Sequence, residues 1–268
     1  MKRIRIDLSY DGRNYHGFQS QPDGNTIQDE IERALAQAAR QTVRITGASR
    51  TDSGVSAEHQ VCTVEVPEET DLFRLHRSLN GLLPKTIRIQ SVELAEPGFH
   101  PGYLAKAKIY RYRIWLGDCL DPFCRPFVWE VKSGVDLERL SQVVSEFVGK
   151  HDFKAFSNAG TDVESTVREI YGVEVERRGK LLNIWILGDG FLKQMIRNIV
   201  GTSIDISSGK LQCHVKDLLS NGVRTESGRT APALGLQLVE ILYGSLPDLP
   251  SYVSAYNQKS SMLLGGSE

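Results

Sequence analysis

The residue types best suited to chemistry gather in one short loop, Gly47-Ala48-Ser49-Arg50-Thr51-Asp52-Ser53-Gly54-Val55. It holds a single carboxylate, Asp52, with an arginine two residues before it and glycines on both sides. Glycine reaches backbone conformations that other residues avoid, so such a loop can turn sharply and present a side chain. Taken alone, it reads either as an ordinary polar turn or as a carboxylate aimed into a cleft. Strand-like runs, Val43 to Thr46 before it and Gln60 to Val66 after it, would hold it at the end of a sheet.

Three other stretches offer partners. Lys106 to Trp115 reads as a strand on which Lys106, Lys108, Tyr110 and Tyr112 share one face. Basic groups for phosphates beside rings for bases suit single-stranded or loop RNA, although a solvated cationic edge strand has the same composition. Phe191 to Gly201 reads as a helix opened by Gly188-Asp189-Gly190 and apolar nearly all round, apart from Arg197. Such a helix is buried, and a buried arginine requires an anion, because an unpaired buried charge is very costly. A structural salt bridge would satisfy it as well as an active-site pair. Tyr15 to Pro22, rich in aromatic and amide groups and including Gln19, is either surface decoration or a binding lip. His151 and Asp152 look like an acid/base pair, but adjacent side chains usually point apart, which favours a structural role.

The elements that must position these residues follow from periodicity. Residues 3–10 alternate, with Ile4, Ile6, Leu8 and Tyr10 on one face, as in a half-buried strand. Thr26 with Asp29 approaches a capping box, and Ile27, Ile31, Ala34, Leu35 and Ala38 follow at helical spacing. Asp71 caps a second predicted helix carrying Leu72, Leu75 and Leu79, and Ile87, Ile89 and Val92 predict a strand. The first half thus reads β-α-β-loop-β-α-β, an antiparallel or mixed sheet with helices on one face. The turn-rich stretch 96–103 marks a joint. Beyond it, Asp136 caps a helix whose stripe runs Leu140, Val143, Val144, Phe147 and Val148, closed by Gly149. Two runs joined at Arg178-Gly179 predict a hairpin, and Leu234 to Tyr243 a last strand. The expected division is residues 1–104, residues 105–245, and a flexible tail over 246–268 that is rich in Pro and Ser near its start.

The 268 residues suffice for one large or two modest domains. No apolar run approaches the roughly 20 residues that span a bilayer, and no signal peptide is expected from the alternating start. The four cysteines are scattered, which fits free thiols in a reducing cytoplasm better than a zinc site. A net charge of -1 argues against nonspecific coating of nucleic acid, yet leaves room for a local basic groove.

Taken together, five stretches resemble the TruA-type tRNA pseudouridine synthases. They are Tyr10-Asp11-Gly12 with Tyr15-His16-Gly17-Phe18-Gln19; Arg50-Thr51-Asp52-Ser53-Gly54-Val55; Lys108-Ile109-Tyr110-Arg111-Tyr112; Phe191-Leu192 with Met195-Ile196-Arg197-Asn198-Ile199-Val200-Gly201; and Thr230-Ala231-Pro232-Ala233 with Gly235-Leu236. Each is weak alone; five in order, over nearly the whole chain, are specific. The resemblance implies an α+β fold of two similar ferredoxin-like halves sharing an extended antiparallel sheet, with the active site in the cleft between them. It implies a homodimer that takes tRNA, no metal or cofactor, and isomerisation of uridine at positions 38 to 40 of the anticodon stem-loop. By motif position Asp52 is the catalytic aspartate, Arg197 its paired arginine, Tyr110 the tyrosine that stacks on the target base, and Arg50 an aid to base flipping. Lys108, Arg111 and Gln19 join Arg50 and Tyr110 as expected substrate contacts.

The reaction suits these residue types. It breaks the N1–C1′ bond, turns the detached uracil, and rejoins it through C5. A carboxylate can attack C1′ or add to C6 of the base, and a nearby arginine is expected to keep it ionised. The tyrosine would hold the loose base and could help move the C5 proton, and the target must leave its stack. The sequence departs from the family pattern at Ser56, where a histidine is usual; at Gly102, where an arginine is usual; and at Lys193-Gln194, in place of a more aromatic or histidine-rich pair. These departures motivate a rival expectation, a non-catalytic RNA-binding or RNA-chaperone protein using the same groove. A hydrolase is disfavoured for want of a second catalytic carboxylate.

Overall fold

The alternation at the N-terminus builds β1 (Lys2–Tyr10), whose Ile4, Ile6 and Leu8 are fully buried. The computed structural model describes residues 1–39, 41–132, 134–158 and 163–263. After β1 come α1 (Ile27–Ala39), β2 (Thr46–Gly47), β3 (Ser56–Val66), α2 (Leu72–Leu82) and β4 (Ile87–Leu94). The second half runs β5 (Ala107–Leu116), β6 (Trp129–Val131), α3 (Leu137–Ser145), β7 (Gly149–Asp152), β8 (Val167–Arg178) and β9 (Leu181–Gly188). It continues through α4 (Met195–Ser207), α5 (Val215–Asn221) and β10 (Leu236–Leu242) to α6 (Leu249–Leu263).

The ten strands among the described residues form one sheet with the path β4-β1-β3-β10-β5-β9-β8-β7, while β2 flanks β3 and β6 flanks β5. Pairing is antiparallel except for β3 with β10 and β5 with β6. The fold is therefore mixed α/β on a large, mostly antiparallel sheet. The two halves meet where the last strand, β10, enters between β3 and β5; its parallel contact with β3 comprises Gln237 with Ser56 and Leu238 with Ala57. No helix among the described residues is long and apolar enough to cross a membrane.

Local chemistry explains the elements that matched expectation. The Asp71 and Asp136 carboxylates accept from Arg74 N and Arg139 N, capping α2 and α3. Thr26 accepts from Asp29 N at 3.2 Å, at the start of α1.

Three boundaries differ. The strand expected over 43–46 shrinks to β2, because the Ile45 amide donates instead to Glu32 Oε1 at 3.0 Å, a side chain of α1. α3 stops at Ser145; Phe147 is buried beyond the helix, Val148 is exposed, and Gly149 at φ 109° turns the chain into β7. α4 begins at Met195 rather than after Gly190. Gly188 still belongs to β9, and Gln194 sits at φ 61° in the left-handed region, which a helix interior cannot accommodate.

The expected flexible tail is the largest correction. Leu249–Leu263 forms α6, started by Asp248, whose carboxylate accepts from Ser251 N at 3.1 Å. Leu249 and Val253, four apart, are buried against Ala107, Ile109, Trp185, Leu187 and Val239, on the sheet face opposite the main core. Tyr252 and Tyr256 pack edge-on against Trp185. The Ser-rich composition hid this apolar stripe.

Candidate active site

The Asp52 loop is tied down along its length. Gln60, on β3, grips Ser49 twice: its Nε2 donates to Ser49 O at 2.7 Å and its Oε1 accepts from Ser49 N at 3.2 Å. Tyr10 and Thr51 share a buried hydroxyl contact at 2.7 Å. Gly54 turns at φ 81°, and its amide donates to Tyr15 O. A Cβ at Gly12 would lie 1.9 Å from Val55 O, so only glycine lets the end of β1 approach this closely. Ser56, the departure from the family pattern, is buried, and its hydroxyl accepts from that same Gly12 amide at 3.1 Å. The side chain here serves the loop's anchorage.

The loop delivers Asp52 to a cleft of about 1090 Å³ whose far wall comes from β5 and the approach to α4. Arg197 Nη1 stands 3.6 Å from Asp52 Oδ2, the side chains being 14% and 19% exposed. Arg197 Nε donates to Ala231 O at 2.7 Å, and Ala231 N returns a bond to Arg197 O, so the guanidinium is held at its root and points its fork at the carboxylate. Burial raises the Asp52 carboxyl above its ordinary value, against the opposing pull of Arg197, Lys193 and the Gln194 amide. The arginine therefore favours the ionised form and moderates the cost of the buried charge without cancelling it.

Tyr110 is 5% exposed. Its hydroxyl meets Ser49 Oγ at 3.0 Å, and its ring takes Phe191 edge-on at 5.2 Å between centroids. Burial first, and the nearby Asp52 charge, push its phenol up to about 12, so it is protonated at neutral pH. Lys108 lines the same wall; burial, then the Arg168 charge, holds its ammonium below the usual lysine range. Two cations side by side invite a phosphate. Arg50 is exposed on the loop side, and Gln19 lies on the lip, its Nε2 donating to Gln28 Oε1 at 2.7 Å. Among the described lining residues, Arg50, Lys108, Arg168, Lys193 and Arg197 face one acid, Asp52. The nearly neutral chain thus concentrates positive charge where it opens.

One expected contact lies elsewhere. Arg111 follows Tyr110 on β5, and alternation turns it to the opposite face. There it donates to Glu58 Oε1 at 2.6 Å and Gln237 Oε1 at 2.7 Å, between the rings of Trp185 and Tyr256. Tyr112, which shares the Tyr110 face, is fully buried and donates to Pro232 O, shaping the segment that leads into β10. His151 and Asp152 are structural as expected: His151 Nε2 contacts Val148 O, and Asp152 Oδ1 accepts from Lys154 N and Thr166 Oγ1. Arg111→Ala is expected to lower stability by about 1–2 kcal/mol, since it leaves a partly buried Glu58 with the Tyr256 hydroxyl in place of a cation, and to leave tRNA affinity unchanged. A melting curve and a filter-binding titration check this; a phosphate contact would instead weaken binding and flatten its salt dependence.

Sequence reasoning quoted Ser49 and Phe191 within their stretches without giving either a role, and passed over Arg168. It also passed over Arg224, which donates to Asn198 Oδ1 at 2.9 Å, Thr230 Oγ1 at 2.8 Å and Gly228 O at 3.0 Å. That network fastens the 227–231 segment to α4, and so fixes the Ala231 carbonyl that aims Arg197. Ser49 and Phe191 stood in quoted motifs, whereas Arg224 declares itself only through long-range contacts.

Comparison with known proteins places this geometry. A family model described as tRNA pseudouridine synthase matches residues 8–103 and 143–244. The chain belongs to the tRNA pseudouridine synthase family. It is 38% identical over 244 residues to the tRNA pseudouridine synthase A of Acetivibrio thermocellus, covering 91% of this chain and 100% of that protein. It is 41% identical over 254 residues to the protein of the same name from Solidesulfovibrio magneticus, covering 91% and 92%. Membership makes the chain an isomerase that converts uridine to pseudouridine in tRNA. α6 lies past the end of the family match.

Proposed function

We propose that the chain isomerises uridine at position 38, 39 or 40 in the anticodon stem-loop of tRNA, with Asp52 as the nucleophile. The observation that carries the chemistry is the Asp52–Arg197 pair, 3.6 Å apart in a basic cleft above Tyr110. The anticodon positions, a homodimer and a cytoplasmic setting rest on the resemblance of the five motifs.

The bonds balance within one nucleotide. The Asp52 carboxylate attacks C1′, and the N1–C1′ pair leaves with uracil; or it adds to C6 and loosens the base through the ring. In either route uracil turns, C5 forms its bond to C1′, the bond to Asp52 at C1′ or C6 breaks and returns the carboxylate, the C5 proton passes to water and N1 gains a proton from water. Tyr110, protonated and gripped by Ser49, is suited to holding the free base rather than to accepting the C5 proton. Arg50 stands exposed beside Asp52, where it can occupy the space a flipped base leaves. Lys108 and Arg168 take flanking phosphates.

Transfer RNA tritiated at uridine C5 tests the proposal: the wild-type chain releases tritium to water in proportion to pseudouridine formed. Binding without any release would favour the non-catalytic reading. Mapping the product by sequencing checks the positions; pseudouridine outside the anticodon arm overturns that part alone.

A further inference from the structure

The rim of the cleft carries a large aromatic residue with no place in the chemistry above. Tyr103 is 88% exposed and lines the opening that leads to Asp52. A single exposed hydrophobic residue is ordinary, but a tyrosine ring fixed in place beside polar groups at the mouth of a cleft is suited to binding, having one apolar face and a polar tip. Tyr103 is held. Its ring stacks on His100, with centroids 4.1 Å apart and planes 28° apart. His100 Nδ1 accepts from both Gly102 N and Tyr103 N at 3.2 Å, which fixes the imidazole under the phenol ring. The turn stands on a firm foot: Phe99 is buried against Tyr243, whose hydroxyl donates to Pro101 O at 2.9 Å. A Cβ at Gly102 would point at His100 and the Ala48 carbonyl, so the missing side chain leaves the space between this turn and the Asp52 loop open.

We propose that His100 and Tyr103 form a stacking platform for an unpaired base next to the uridine being isomerised. One face of the Tyr103 ring is taken by His100, and among the described residues no other ring stacks on it, which leaves a face for a nucleobase. Every base has such a face, so the platform adds affinity and position without reading sequence. Arg50 and Lys193, on the same cleft, supply the charge that a polynucleotide brings its phosphates to. This inference rests on the tRNA cleft assigned above, and it extends that cleft outward from the reacting nucleotide.

The test compares Tyr103→Ala and Tyr103→Phe with the wild type, using unmodified tRNA carrying 2-aminopurine beside the target uridine and a second tRNA tritiated at C5. Stacking of one base on an aromatic ring corresponds to roughly 5–150-fold in affinity. Tyr103→Ala should raise Kd and KM by that order, with the loss falling on KM rather than on kcat, and should abolish quenching of the 2-aminopurine. Tyr103→Phe should restore both, because the ring and not the hydroxyl carries the contact. An unchanged Kd in Tyr103→Ala, or a phenylalanine variant as weak as the alanine one, overturns the platform. Tritium release by the wild type reads the catalytic assignment separately, so failure of one leaves the other standing. Melting curves of all three proteins should coincide, as expected for an exposed side chain.

Discussion

Asp52→Asn is expected to abolish tritium release from C5-tritiated tRNA, by at least about 10⁴-fold, and to leave tRNA binding intact. A nucleophile removed from a covalent mechanism has no substitute in the cleft, where Asp52 is the one acid among the described lining residues. Asparagine keeps the shape and removes the charge, so a lost reaction cannot be attributed to a collapsed loop. Retention of turnover in this variant would sink the assignment. The same substitution makes a stability prediction with a definite sign. The Asp52 carboxyl has its folded pKa raised above the unfolded value, chiefly by burial. Its favourable contribution is then present below the unfolded pKa and is lost as pH rises through the folded one. At neutral pH the charged side chain is a cost, so Asp52→Asn should melt at or above the wild type. The gap should close as the buffer is made acidic enough to protonate Asp52. Differential scanning fluorimetry across pH 4 to 8 reads both.

Arg197→Met is expected to lower kcat at neutral pH on the order of 10²-fold and to move the acid limb of the pH–rate profile upward. The arginine is the largest influence opposing the burial of Asp52; without it Lys193 and the Gln194 amide remain. The carboxyl pKa then climbs further, and less of the enzyme holds the ionised nucleophile at a given pH. Raising the pH should recover part of the lost rate. Lysine should not replace it well, because Arg197 spends Nε on Ala231 O while Nη1 faces Asp52, and one ammonium cannot reach both. A uniform loss with an unshifted acid limb would show that Arg197 serves the fold and not the carboxylate.

How far the sequence carried these conclusions depended on the range of the interaction. Caps at Asp71 and Asp136 involve residues three apart, and the hairpin at Arg178-Gly179 closes on itself; both were readable. Arg197 declared only that it needed an anion, since its partner lies 145 positions earlier in the chain. Choosing Asp52 as that anion took the family motifs. Arg111 was misplaced although strand alternation already set it opposite Tyr110, because proximity in a motif outweighed phase. α6 was misread because the Pro and Ser around its start and the Gly-Gly-Ser-Glu end suggested a tail, while Leu249 and Val253 find their match on the back of β5, β9 and β10. Tertiary packing decides such a helix, and propensity says little about it.

The position of β10 sets a timetable for the ribosome. β3 is complete when Val66 has been made, but the strand that pairs with its inner edge starts at Leu236, about 170 residues later. At roughly 5–20 residues per second, that edge waits on the order of 10–30 s with open amides and carbonyls. The far wall of the cleft, β5 and the approach to α4, is made within that interval, and β10 then pairs with both β3 and β5 to join it to the Asp52 side. The two sides of the cleft are therefore locked together only when the last strand has been threaded between the halves.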